Sequence, residues 1–166
     1  MPALRSYKCN YCDFKLYSGW GGHVYAEDFN GRRIVCGHPN EDRIIEEVLN
    51  LELGLLVKMK FHEPSFLWSK KRRNQYNEIK KLVIERTGFH SICFCPACKI
   101  NFHLDIGERG AFFSNKDESS TDRQKDKKQC PGCGNKDIKR VREYIGETCP
   151  NCGQGKIEEI DSGIIS

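Results

Sequence analysis

Five short hooks, each offering two metal-type ligands, constrain this chain more than any other feature. Four are Cys-x-x-Cys pairs, Cys9/Cys12, Cys95/Cys98, Cys130/Cys133 and Cys149/Cys152, and the fifth is Cys36-Gly37-His38. A tight turn of this kind aims two ligand atoms at one point, so two hooks can close a tetrahedral site. Cys130-Pro131-Gly132-Cys133-Gly134 and Cys149-Pro150-Asn151-Cys152-Gly153 suit the purpose. Proline presets φ inside the turn, and glycine tolerates the left-handed geometry as the chain leaves it. The hooks also explain how a chain of 166 residues, 38% hydrophobic and 30% charged, supplements a modest apolar core. With ten cysteines in repeated pairs and no signal-peptide pattern at the N-terminus, the expectation is metal in a reducing, cytoplasmic setting rather than disulfides. No apolar run approaches the length of a membrane span.

The formal charge of +4 points toward nucleic acid, but it counts the cysteines as neutral. A filled four-cysteine zinc site carries −2 and one of three cysteines and a histidine −1, because the ligating thiols are deprotonated. One of each would leave about +1 of the formal +4, so any argument for an anionic partner rests on where the cations cluster.

Along the chain, residues 24–29 and 32–35 flank Asn30-Gly31, the dipeptide of a two-residue type I′ hairpin turn. Such a hairpin returns Cys36/His38 beside Cys9/Cys12. Trp20, in a glycine-rich run before it, is expected to pack over the small ribbon core; the sharper alternative is an exposed stacking platform. A helix is expected over 41–50, with Ile44, Ile45, Val48 and Leu49 on one stripe. After Gly54, the alternation of Val57, Met59 and Phe61 with Lys58 and Lys60 predicts a strand ending at Pro64. A longer helix follows from Ser65 or Ser69 to Thr87, burying Tyr76, Ile79, Leu82 and Val83, with Gly88 as its C-cap.

Two basic clusters stand out. Lys70, Lys71, Arg72 and Arg73 lie in a region, 58–86, with nine basic and three acidic residues, beside Trp68 and Tyr76. Lys139, Arg140 and Arg142 belong to a second region, 123–142, with eight basic and two acidic residues, beside Tyr144. A basic run is ordinarily a solvated face; phosphate contact is the sharper reading. Strands are predicted after Cys98, where Ile100, Phe102, Leu104 and Ile106 alternate, and over 156–160. Residues 115–129 read as a mobile loop. Cys93 shares a strand face with Cys95 and reads as a small core residue.

Five hooks make two complete sites and strand one. Pairing by proximity joins Cys9/Cys12 to Cys36/His38 and Cys130/Cys133 to Cys149/Cys152, whose fifteen-residue gap is the usual spacing. Cys95/Cys98 is then left to recruit His90, His103 or Cys93, giving two or three zinc ions. The rival joins Cys95/Cys98 to Cys130/Cys133 and strands Cys149/Cys152.

The hooks, with glycine after two of them and hairpin patterns between, resemble those of zinc-ribbon proteins over residues 5–39 and 91–160. The resemblance implies structural zinc at Cys9, Cys12, Cys36, His38, Cys130, Cys133, Cys149 and Cys152, and does not specify function. The expected fold is a small metal-stapled α+β protein with zinc-ribbon hairpins at both ends: a ribbon module at 1–39, a helical and basic segment at 40–90, and a second ribbon region at 91–166. The leading function is a noncatalytic zinc protein that binds nucleic acid or a nucleic-acid-associated protein. A protein-interaction adaptor, docking through the acidic helix or Trp20, is the second reading, and a redox or iron protein built on its Cys-x-x-Cys pairs is the third. No His-x-Glu deaminase signature, Walker A loop or His-Glu-x-x-His helix is present.

Overall fold

A computed structural model describes residues 5–61, 68–107 and 124–161 of the chain. The protein is α+β, with eight strands and three α-helices among the described residues. It divides into two compact units, one made of residues 1–22, 90–106 and 125–166, the other of residues 23–89 and 107–124. Among the described residues no helix is long and apolar enough to cross a membrane.

In the first unit the two ends of the chain meet. β1 (Arg5–Cys9) lies between β2 (Lys15–Gly19) and the last strand, β8 (Ile157–Asp161), antiparallel to both. The register sets Tyr7 opposite Leu16 and Cys9 opposite Ile157. Alternate residues of β1 point inward, so Tyr7 and Cys9 join Leu16, Phe94, Tyr144, Cys149 and Ile157 in one buried cluster. The rings of Phe14 and Tyr144 each meet Phe94 edge to face, at 5.7 and 5.4 Å. Burial pushes the Tyr144 phenol up to about 12, and its hydroxyl donates to the Phe94 carbonyl at 3.4 Å.

The other half of this unit is built on β5 (Thr87–Cys95), whose residues from His90 onward belong here. It pairs antiparallel with β6 (Ile100–Leu104) and with the short β7 (Lys139–Arg140), which leads into a single 3-10 turn, Val141–Tyr144. β6 starts where the alternation predicts and ends at Leu104, two residues short of Ile106, and β8 falls one residue beyond the strand expected over 156–160.

In the second unit β3 (Gly22–Glu27) and β4 (Arg33–Cys36) form a hairpin, pairing Val24 with Cys36 and Glu27 with Arg33. The turn is longer than the expected Asn30-Gly31 pair. Asp28 closes a five-residue loop, its carboxylate accepting from the amides of Asn30 and Arg32, both at 2.9 Å, and only Gly31 adopts positive φ. α1 (Glu41–Val48) buries Ile45, followed by Leu49, against Val24, Ala26 and Cys36.

α2 (Leu55–Phe61) is a helix where the lysine alternation predicts a strand. Its core contacts explain the outcome: Leu56 and Met59 are 0% and 5% exposed, one helical turn apart, whereas Val57 is 44% exposed. Glu46 supplies the missing start signal. Fully buried, its carboxylate accepts from the amides of Gly54 at 2.8 Å and Leu56 at 2.6 Å, satisfying donors at the start of the helix. Glu46→Ala leaves those amides without a partner and should cost ~1–3 kcal/mol, read as a lower urea midpoint at unchanged slope.

α3 (Lys70–Arg86) begins at Ser69, whose hydroxyl accepts from the Arg72 amide at 3.3 Å. It ends without the expected Gly88 cap, because Thr87 opens β5 directly. Val83 is fully buried, and Tyr76 and Ile79 pack on the same core. Residues 60–67, where the Pro64 break was expected, have no described side chains, and residues 115–123 of the expected loop lie outside the described residues.

Candidate metal centres

The five hooks do not pair as proximity predicts. Because β1 and β8 are neighbours, Cys9/Cys12 meets Cys149/Cys152, from the opposite end of the chain. Because β6 and β7 flank β5, Cys95/Cys98 meets Cys130/Cys133. In each group the four sulfurs lie within 4.8 Å of one another.

The spacing suits a tetrahedral metal. Zinc–sulfur bonds of about 2.3 Å place tetrahedral sulfurs about 3.8 Å apart. The Cys9 to Cys152 and Cys12 to Cys149 separations are 3.7 and 3.8 Å. In the second centre Cys95 to Cys133 is 3.7 Å, while Cys98 stands 3.5, 3.4 and 3.1 Å from Cys95, Cys130 and Cys133. Each group can therefore hold one ion with a small outward adjustment.

Local backbone prepares the thiols for ionisation. The amides of Tyr11 and Cys12 donate to the Cys9 sulfur at 3.3 and 3.4 Å, and that of Asn151 to the Cys149 sulfur at 3.4 Å. Amides of Gly155 and Gln154 lower the Cys152 thiol to about 6. Burial opposes ionisation of Cys95, but amide donors from Cys98 and Ala97, together with neighbouring thiols, leave it at about 6. Its companions run the other way: burial raises Cys149 to about 11, and sharing protons with three thiols raises Cys98. A divalent ion held there would replace those retained protons.

Several residues around the centres are not evident in the hook pattern. Asn10 locks the two ends together, its amide donating to the Lys156 carbonyl at 3.0 Å and its side chain to Glu158 at 2.8 Å. Lys99, held in left-handed geometry after Cys98, sends its amine to the Asn151 side chain at 3.0 Å, and Asn151 reaches the Cys12 sulfur at 3.9 Å. A cation from one hook thus lies close to the opposite centre. Gly155 approaches Cys9 so closely that a Cβ there would lie 2.5 Å from the sulfur. The sequence signal was only a second glycine after Gly153.

Cys36 and His38 join neither group. Their hairpin belongs to the second unit, whereas Cys9 and Cys12 belong to the first. Cys36 is buried, its thiol pushed up to about 11 by that burial and directed at the Ile34 carbonyl at 3.6 Å. His38 pairs with Glu41 at 2.9 Å. Cys93, His90 and His103 are likewise in neither group, and Cys93 is fully buried on β5, as a core residue would be. Trp20, expected over the ribbon core, is 52% exposed.

The basic residues divide between the units. Lys70, Lys71, Arg72 and Arg73 are exposed on the first turn of α3. Arg72 covers the Trp68 ring at 4.3 Å. In the other unit Lys139 pairs with Glu147 at 3.2 Å and Arg140 with Glu143 at 2.7 Å, and Arg142 is exposed. Comparison with protein-family models, with curated proteins and with solved structures finds no match to this chain.

Proposed function

We propose that this chain is a noncatalytic protein whose first unit is closed by two structural zinc ions, and that it binds nucleic acid through the basic first turn of α3. The observation that carries the metal reading is the gathering of eight thiols into two groups of four at near-tetrahedral spacing. Soft thiolates in a four-sulfur set select zinc or iron, and four protein ligands close the coordination sphere against a substrate. Pairing every Cys-x-x-Cys hook also leaves no dithiol for the redox reading once both centres are filled. With two such centres at −2 each, the formal +4 is cancelled, so attraction for an anion is local.

Local cation density is high on α3. Residues 70–86 hold seven basic and two acidic side chains, and four of the cations crowd the helix N-terminus. A helix dipole disfavours cations there, each by ~0.3–1 kcal/mol. A local arrangement that opposes stability points to a partner that uses it. The acidic α1 suits an adaptor less well, because Glu46 is buried and Glu41, Glu47 and Glu52 pair with His38, Arg43 and Lys58.

Elemental analysis of protein purified without added metal should give two zinc per chain; iron would establish the electron-transfer reading instead. Anisotropy with a labelled oligonucleotide should show affinity falling steeply with salt, with a log–log slope of about −0.7 to −0.9 per phosphate contacted. Lys70→Gln with Lys71→Gln should flatten that slope by about 2. Salt-insensitive binding, or none, would refute the nucleic-acid half of the proposal.

A further inference from the structure

We infer that a cleft between α2 and α3 receives an unstacked base, so that the nucleic acid bound by this chain is single-stranded. The inference rests on the nucleic-acid reading above and adds where a base would sit. The cleft has a volume of about 470 Å³, within the range of ~300–1,000 Å³ typical of small-molecule sites. Its apolar lining includes Met59 and Ile79, and its aromatic part is Trp68 and Tyr76. Those rings meet edge to face, with centroids 5.8 Å apart and planes at 74°. In that geometry one ring offers only its edge to the other, and Arg72 lies over one face of Trp68 at 4.3 Å, so a base stacking on that face would take the place of the guanidinium.

The polar part of the lining matches a nucleotide better than an apolar ligand. Gln75 offers one amide donor–acceptor pair, the group that reads a base edge, and Arg72 and Lys58 are its cations. Among the described residues, no carboxylate lines the cleft. Arg72 belongs both to the cleft and to the basic turn that continues through Lys70, Lys71 and Arg73, so a strand with a base in the cleft would lay its phosphates along that turn. Four cations within one turn exceed what a single mononucleotide phosphate needs. A duplex would first have to flip a base out, whereas a single strand offers one already unstacked.

The test uses full-length, zinc-loaded protein carrying Trp20→Phe, which leaves Trp68 as the one fluorophore of its kind among the two tryptophans. Three probes of ten nucleotides are titrated: oligo(dT), an abasic strand and a duplex. Oligo(dT) should quench Trp68 saturably and bind at least about tenfold tighter than the abasic strand and the duplex, within the ~5- to 150-fold that stacking one base supplies. Tyr76→Leu should remove that preference, with circular dichroism and zinc content checking its fold, and the exposed Gln75→Ala should reduce it. Lys70→Gln with Lys71→Gln should weaken oligo(dT) and the abasic strand equally. Equal affinity for those two probes with Trp68 unquenched would overturn the cleft while leaving phosphate binding in place. Preference for the duplex, or occupation of the cleft by an acidic amphipathic peptide that oligo(dT) does not displace, would also overturn it. Failure of all three probes to bind would instead remove the nucleic-acid reading.

Discussion

Cys149→Ser should lower the zinc content from two ions to one and abolish the cooperative unfolding of the first unit. Cys149 is 1% exposed, sits in the same buried cluster as Tyr7, Phe94 and Ile157, and faces Cys12 at 3.8 Å across a separation of 137 residues. Structural zinc supplies roughly 10–16 kcal/mol to a small site, against a total stability of about 5–15 kcal/mol for a whole domain. Losing the ion therefore outweighs what the β1–β8 pairing and its core retain. The second centre closes a much shorter loop, 32 residues between Cys98 and Cys130, and should keep its metal. Cys36→Ala is the informative comparison. It removes a buried sulfur from the second unit but should leave zinc at two per chain, because that sulfur belongs to neither group. Elemental analysis and thermal denaturation followed by near-UV circular dichroism read both outcomes. Zinc lost in Cys36→Ala and retained in Cys149→Ser would reverse the assignment.

Gly155→Ala should be more damaging than alanine at any other glycine whose surroundings are described. A Cβ at Gly155 would lie 2.5 Å from the Cys9 sulfur, 2.6 Å from the Tyr11 Cβ and 2.8 Å from the Asn10 side-chain oxygen. Little can yield. The sulfur is a proposed ligand, Asn10 is held by the Lys156 amide at 2.9 Å, and the Gly155 carbonyl itself accepts from the Cys149 amide at 2.7 Å. Overpacking costs ~1–3 kcal/mol in an ordinary core, and here it also displaces a metal ligand. One of two zinc ions should pass to a chelator at least tenfold faster than in the unaltered protein, while Gly37→Ala, with open space around it, should change neither rate. Equal release rates for Gly155→Ala and the unaltered chain would show that this close approach does not exist in solution.

The chemistry of the centres was legible in the sequence, whereas their connectivity was only half so: the rival pairing joined Cys95/Cys98 to Cys130/Cys133, but neither arrangement brought Cys9/Cys12 to Cys149/Cys152. Cys-x-x-Cys spacing is a local property, so the eight cysteines of the four hooks announce metal wherever they fall. Which hook meets which depends on strand order. Proximity favours the fifteen-residue gap between Cys133 and Cys149, but loop-closure entropy grows only logarithmically. Closing 137 residues rather than fifteen costs only about 2 kcal/mol more. The five residue pairs of β1 with β8 and the burial of Tyr7, Cys9 and Ile157 can exceed that. Cys36-Gly37-His38 misled for the same reason: a hairpin does return the chain, but to the core under α1.

Elsewhere, period decided what could be read. The stripe of α1 and the alternation of β6 were plain, and a final strand was expected near β8. The seven residues of α2 fit both a strand and a helix, and the choice falls to Glu46, nine residues upstream of Leu55, which no local pattern reveals. Exposure of Lys70 to Arg73 was likewise expected, whereas the ion pairs of Lys139 and Arg140 needed the fold.

The pairing of the hooks can be tested directly by replacing zinc with cadmium-113 and correlating each ion with the cysteine Hβ protons by NMR. One ion should correlate with Cys9, Cys12, Cys149 and Cys152, and the other with Cys95, Cys98, Cys130 and Cys133. An ion that correlates with Cys36, or one shared by Cys130, Cys133, Cys149 and Cys152, would contradict the account.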